Sequence, residues 1–139
     1  MNIYVAAPIT QVHVACLIAQ ALTADGFTVT SSWHSLVQST DRSPLDPRVR
    51  QDVLATNLSD LHRAALVVAW TGAGIPKATY SEIGWALARG KRVVWIQNSE
   101  GGETNIFDAD PGVTILRETD TDAVVRTVRG VVGEMRAAA

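Results

Sequence analysis

Apolar residues fall along this chain in short dense runs separated by longer segments of helical spacing. Ile3-Tyr4-Val5-Ala6-Ala7 is a compact run rich in β-formers that stops at Pro8, which predicts a buried strand. From about Gln11 to Asp25 the apolar positions Val12, Ala15, Cys16, Ala19 and Leu22 recur near helical spacing, and Gly26 is placed as a left-handed stop. A second strand follows over Phe27 to Ser31. Trp33 to Pro47 mixes Ser, Thr, Asp and Arg with prolines and has no clean period, so a long surface loop is expected there.

Val49, Val53, Leu54, Leu58 and Leu61 predict a helix from Pro47 to about Arg63, with Asp46 as its N-cap and Pro47 in its first turn. Ala65 to Trp70 is a third strand, almost continuously apolar. A glycine-containing loop from Thr71 to Ala78 leads into a helix over Thr79 to Arg89 that Gly90 ends. Val93 to Ile96 is a fourth strand, Val113 to Leu116 a short fifth after a polar loop from Gln97 to about Pro111, and Asp120 to Arg136 a closing helix.

Strands that are apolar along most of their length and alternate with helices imply an α/β fold, a mainly parallel five-stranded sheet covered on both faces. Right-handed crossovers favour a three-layer flavodoxin or Rossmann-like arrangement with strand order 2-1-3-4-5. Ligands in such sheets bind beyond the carboxyl ends of the strands, near the switch between strands 1 and 3. That rule selects Ala7 to Gln11, Ser31 to Arg42, Thr71 to Glu82 and Gln97 to Phe107 for attention.

Composition narrows the classes. With 139 residues, 47% of them hydrophobic, a single domain over 1–139 is expected. A net charge of −2 gives none of the basic excess that polymeric nucleic acid attracts. The lone Cys16 lies in an apolar run, and there is neither a signal-like N-terminus nor an apolar stretch of membrane length, so a soluble cytoplasmic protein is expected.

Candidate chemistry is sparse. Glu82 opens the fourth predicted helix, where the helix N-terminus favours an ionised carboxylate. Thr79-Tyr80-Ser81-Glu82 equally fits a capping box in which Thr79 caps and Glu82 reaches back. Asn57 and Asp60, three residues apart, share a helix face with Val53, pointing either into a site or along the helix shoulder. Trp33 is placed to stack on a base or simply to pack, and His34 to bind a phosphate or hydroxyl or to remain solvated. The helix start after Ala7 and Pro8, at Ile9 and Thr10, offers amides and a hydroxyl to a lone phosphate. Glycine-rich dinucleotide and Walker-type motifs are missing, and His13, His34 and His62 have no metal-ligand spacing, so no cofactor and no metal are expected.

Taken together, Ile3-Tyr4-Val5-Ala6-Ala7-Pro8-Ile9, Asn57-Leu58-Ser59-Asp60-Leu61 and the block from Tyr80 through Glu82-Ile83-Gly84-Trp85-Ala86-Leu87-Ala88-Arg89-Gly90-Lys91 to Val94 resemble the nucleoside 2-deoxyribosyltransferase family and its nucleotide N-hydrolase relatives. Val29 to Trp33, Asn105-Ile106-Phe107 and Pro111-Gly112-Val113 are similar to a small bacterial and phage branch of the same superfamily. The resemblance implies cleavage of an N-glycosidic bond, by base transfer or hydrolysis. It implies Glu82 as nucleophile, Asp60 as the acid or the holder of the base with Asn57 beside it, and Tyr4 orienting Glu82. It further implies a homodimer or larger assembly with shared sites, to which Asn98 or Asn105 would contribute.

Asn57 stands where the family usually has aspartate, Ala7 where it has glycine, and Pro76-Lys77-Ala78-Thr79 where it has a glycine-rich, often aspartate-containing segment. Lys77 suits a 5′-monophosphate. A catalytically silent nucleotide-binding protein of the same fold is therefore the alternative. A third reading leaves Trp33, Trp70, Trp85 and Trp95 to packing and subunit contacts alone.

Overall fold

The computed structural model describes residues 1–39, 46–98, 100 and 105–139. Five strands form one parallel sheet: β1 (Asn2–Ala6), β2 (Thr28–Val29), β3 (Leu66–Trp70), β4 (Arg92–Gln97) and β5 (Val113–Arg117), in the order β2-β1-β3-β4-β5. The order is the one expected from right-handed crossovers. Ile3 pairs with Leu66 and Ala6 with Ala69 across the switch point, and Val67 with Val93 on the far side of β3. β1, β3 and β4 are the interior strands, and Ile3, Val5, Val67, Val68, Val93 and Val94 are wholly buried, as strands covered on both faces require.

The helices are α1 (Val12–Ala24), α2 (Trp33–Ser39), α3 (Pro47–Arg63), α4 (Lys77–Ala88) and α5 (Thr121–Ala138). Chain growth reverses direction at β1, so right-handed crossovers place α1 and α5 together on one face and α3 and α4 on the other. Their ends follow local chemistry. Asp46 accepts from the Arg48 amide at 2.9 Å with Pro47 behind it, and Asp120 accepts from the Ala123 amide at 3.0 Å. In α5, Val124, Val128 and Val132 form the buried stripe.

Three expectations change. The loop expected from Trp33 onward begins instead with α2, of which Trp33 and His34 are buried; seven residues are too few to show a helical period, and tertiary contacts of these two side chains hold the turn. The remainder of that loop, 40–45, lies outside the described residues, as do 99 and 101–104 of the later one. The second strand shrinks to Thr28–Val29, because the Thr30 hydroxyl bonds Asp60 O and the Ser31 hydroxyl takes the place of a backbone acceptor for Val5 N–H. Finally α4 starts at Lys77, two residues earlier than the capping box requires, and Pro76 occupies its N-cap position without a side-chain bond. Thr79 thus lies inside the first turn, and Glu82 is free to engage another partner.

Among the described residues no helix is long and apolar enough to cross a membrane.

Candidate active site

Tyr4 lies in the middle of β1, wholly buried, and its hydroxyl donates to Glu82 Oε2. α4 brings the carboxylate there because Ile83 and Ala86 bury one stripe of the helix against the sheet, leaving Glu82 beside the stripe. Burial pushes the Glu82 carboxyl up to about 7, opposed by the bond from Tyr4. Burial and then the neighbouring Glu82 charge push the Tyr4 hydroxyl well above its ordinary range. A carboxylate this desolvated, with one donor among the described residues, is a stronger base than an exposed one.

Glu82 faces a pocket of about 340 Å³ between two helices. From α3 come Leu54, Asn57, Leu58 and Leu61, and from α4 Ala78, Ser81, Glu82 and Trp85. Both sets repeat at i, i+3/i+4, i+7, so each is one helix face. Trp85 carries the Arg89 guanidinium over its ring, 3.7 Å from the centroid. Leu54, Leu58, Ser81 and Trp85 were not singled out as site residues from the sequence, although their register with Asn57 and Glu82 was available to find them.

Asp60 lies elsewhere. Its Oδ2 accepts from the Ser32 amide at 3.1 Å and the Ser32 hydroxyl at 2.6 Å, and its Oδ1 pairs with Arg63 at 2.6 Å. It is buried and is not part of the pocket wall that holds Asn57. Trp33 and His34 belong to the same region: the indole N–H donates to Val5 O at 2.8 Å, and His34 Nε2 is 3.0 Å from Ser31 Oγ. Burial lowers the His34 pKa, so the ring there is neutral rather than a solvated cation.

The loop after β1 approaches the loop after β3. Ala7 and Pro8 are buried and Ile9 and Thr10 exposed, and a Cβ on Gly74 would stand 2.8 Å from Thr10 Oγ1 and 3.1 Å from Pro8 Cβ. Gly74 also has φ +77°, so it is required twice over. Lys77 is exposed at the first position of α4, whereas Thr79 Oγ1 is buried with no hydrogen-bond partner among the described residues. Asn105 Oδ1 accepts from Phe107 N at 3.1 Å, capping a short 3-10 turn over Ile106–Ala109, and Asn98 Nδ2 donates to Gly72 O at 3.0 Å. Among the described residues no group of three or more His, Cys, Asp or Glu is placed to hold a metal ion.

No protein-family model and no curated protein matches the chain. Solved structures do. A Clostridium botulinum CMP N-glycosidase, BcmB, superimposes with a TM-score of 0.69 at 14% identity, covering 93% of this chain and 99% of that one. A 2-deoxyribosyltransferase from Bacillus psychrosaccharolyticus gives a TM-score of 0.66 at 22% identity over 92% and 96% of the two chains. A conserved protein from Enterococcus faecalis V583 gives 0.52 at 16% identity over 100% and 99%. The fold is that of the nucleoside 2-deoxyribosyltransferases.

Proposed function

We propose that this chain breaks the N-glycosidic bond of a nucleoside or nucleoside 5′-monophosphate, by transfer or hydrolysis, with Glu82 as nucleophile. The observation that carries the reading is a desolvated carboxylate, held by the Tyr4 hydroxyl, at the wall of a pocket of about 340 Å³. Two structural neighbours, one named a CMP N-glycosidase and the other a 2-deoxyribosyltransferase, share the fold and support the reading.

In this mechanism the sugar lies with C1′ against Glu82. As the bond to the base lengthens, positive charge spreads over C1′ and the ring oxygen, and the carboxylate stabilises it or closes on C1′ as an ester. Tyr4 holds the carboxylate in one rotamer, and the apolar wall keeps water from dissipating its charge. Asp60, occupied by Ser32 and Arg63, acts here by positioning the end of α3 and so Asn57. The same reading includes a homodimer or larger assembly in which a second copy completes the site.

The test is chromatographic detection of free base from ribo- and deoxyribonucleosides, their 5′-monophosphates and nucleosides with an N-alkylated base, using the wild type and Glu82→Gln. Release from one class that Glu82→Gln abolishes is the expected result. No release from any class would leave a silent binding protein of this fold.

A further inference from the structure

The two edges of the sheet are built differently. β2 offers two residues, and the chain after it is tied down by the Thr30 hydroxyl, which bonds Asp60 O, and the Ser31 hydroxyl, which takes the Val5 N–H. β5 offers five, Val113-Thr114-Ile115-Leu116-Arg117. Edge strands are usually blunted by shortness, charges, prolines or bulges, because a row of unpaired backbone groups is a template for another strand. β2 is short; Val113 to Leu116 of β5 are uncharged and pair with β4 in unbroken register.

Which groups of β5 face outward follows from its bonds to β4. Gly112 O accepts from Val93 N–H at 2.9 Å and Glu118 N–H donates to Gln97 O at 3.0 Å, so the even-numbered positions turn their backbone groups toward β4. Val113, Ile115 and Arg117 turn theirs to the outer edge, where no further strand pairs with β5 among the described residues. The Val113 N–H is taken by Asp110 O at 3.0 Å.

Apolar surface lies along the same edge. α4 packs on β3 and β4, so Ile115, in register with Trp95, lies past the helix and is 37% exposed. The 3-10 turn that packs on β5 adds Ile106, 84% exposed, and Phe107, 54% exposed.

We propose that this edge joins two copies of the chain, β5 pairing antiparallel with the partner's β5 about a twofold axis at Ile115. In that register the two Ile115 residues exchange N–H···O=C bonds, and each Arg117 N–H meets the partner's Val113 C=O. The charges of the strand select a second copy and this register. Asp110 lies before the strand and Arg117 at its end, so antiparallel pairing turns each Arg117 toward the partner's Asp110 and keeps the two guanidinium groups apart. Moving the axis to Leu116 would bring the two Arg117 residues diagonally together, and parallel pairing in register would set them side by side. The contact differs from one that completes the Glu82 site, because α4 stands between β5 and the pocket it forms with α3, and it does not rest on the reading of Glu82.

The test is sedimentation of the wild type and Ile115→Lys, with oxidation of Ile115→Cys on a Cys16→Ser background. Directly opposed residues that exchange backbone bonds lie about 5.5 Å apart at Cα, within the span of a disulfide. The wild type is expected to sediment as a dimer or a larger even assembly, Ile115→Lys to halve its mass, and Ile115→Cys to form disulfide-linked dimers that reduction reverses. Arg117→Cys on the same background should not link. A monomeric wild type overturns the proposal; so does an assembly that Ile115→Lys leaves intact, or one that links through Arg117→Cys and not through Ile115→Cys. Ile115→Cys, a milder change, together with circular dichroism keeps a misfolded Ile115→Lys from passing for a dissociated one. None of these outcomes depends on base release, so failure here leaves the Glu82 reading standing.

Discussion

Asp60 at the end of α3 and Glu82 in α4 both set a carboxylate within electrostatic reach of the buried Tyr4 hydroxyl, yet their surroundings differ. Asp60 is enclosed by donors: an amide, a hydroxyl and a guanidinium occupy its two oxygens, and its own carbonyl takes the Thr30 hydroxyl. Glu82 has Tyr4 and an apolar pocket. A buried charge whose hydrogen-bonding capacity is filled ties structure together; one left short of partners beside a cavity retains free energy that a ligand can relieve. The region around Ser31, Ser32, His34 and Asp60 is accordingly a clasp joining the segment after β2 to α2 and α3, and the wall around Glu82 is where the proposed chemistry would take place.

The contrast is broken most severely by removing each charge in turn. Glu82→Gln is expected to lower base release by roughly 10³-fold or more, about 4 kcal/mol of transition-state stabilisation, while the fold persists. If release survives with full rate, Glu82 is not the nucleophile.

The next largest effect is on stability, and it has opposite sense to the usual loss on mutation. Glu82 titrates near 4.5 when unfolded and near 7 in the folded chain, so between these values the folded state holds a proton that the unfolded state has lost. Its stabilising contribution is complete below 4.5 and is lost as pH rises through 7. Denaturant unfolding at about pH 5 and about pH 8 should show the wild type weakening by ~2–3 kcal/mol relative to Glu82→Gln, which lacks the titration. Parallel behaviour of the two proteins would contradict a desolvated Glu82.

Asp60→Ala should act on the other side of the comparison, costing ~2 kcal/mol through the loss of the Ser32 and Arg63 bonds, with Arg63 released to solvent. A midpoint unchanged in urea would show that the clasp does not hold α2. The smallest effect belongs to Tyr4→Phe. Deleting the hydroxyl removes the contact that lowers the Glu82 pKa, so the rising limb of the rate profile should move to higher pH, with about a tenfold loss of rate below it. A limb that stays in place would separate Tyr4 from the chemistry.

Much of the scaffold could be read without coordinates. Val67, Val68, Val93 and Val94 lie in runs too apolar for a half-exposed strand, and Asp46 with Pro47, or Asp120, mark helix starts by bonds within three residues. Glu82 and Asn57 were legible as candidates, and both line the pocket. The capping box misled because the same local residues permit two helix starts, and the choice of Lys77 depends on how α4 meets the sheet. α2 was hidden for a related reason: its anchors, Trp33 to Val5 and His34 to Ser31, are invisible to any periodicity.

The sequence by itself determined the α/β class, the strand order and the face that each long helix turns inward, because periodicity, caps and crossover handedness act over a few neighbouring residues or follow from general chirality. Only the tertiary structure decided that Tyr4 would bond Glu82, 78 positions away, that Asp60 would be spent on Ser32 and Arg63, and that α3 and α4 would enclose a pocket with one ionisable side chain among its described residues. Desolvation, and with it the difference between a structural carboxylate and a reactive one, depends on every neighbour that replaces water, and those neighbours come from all along the chain.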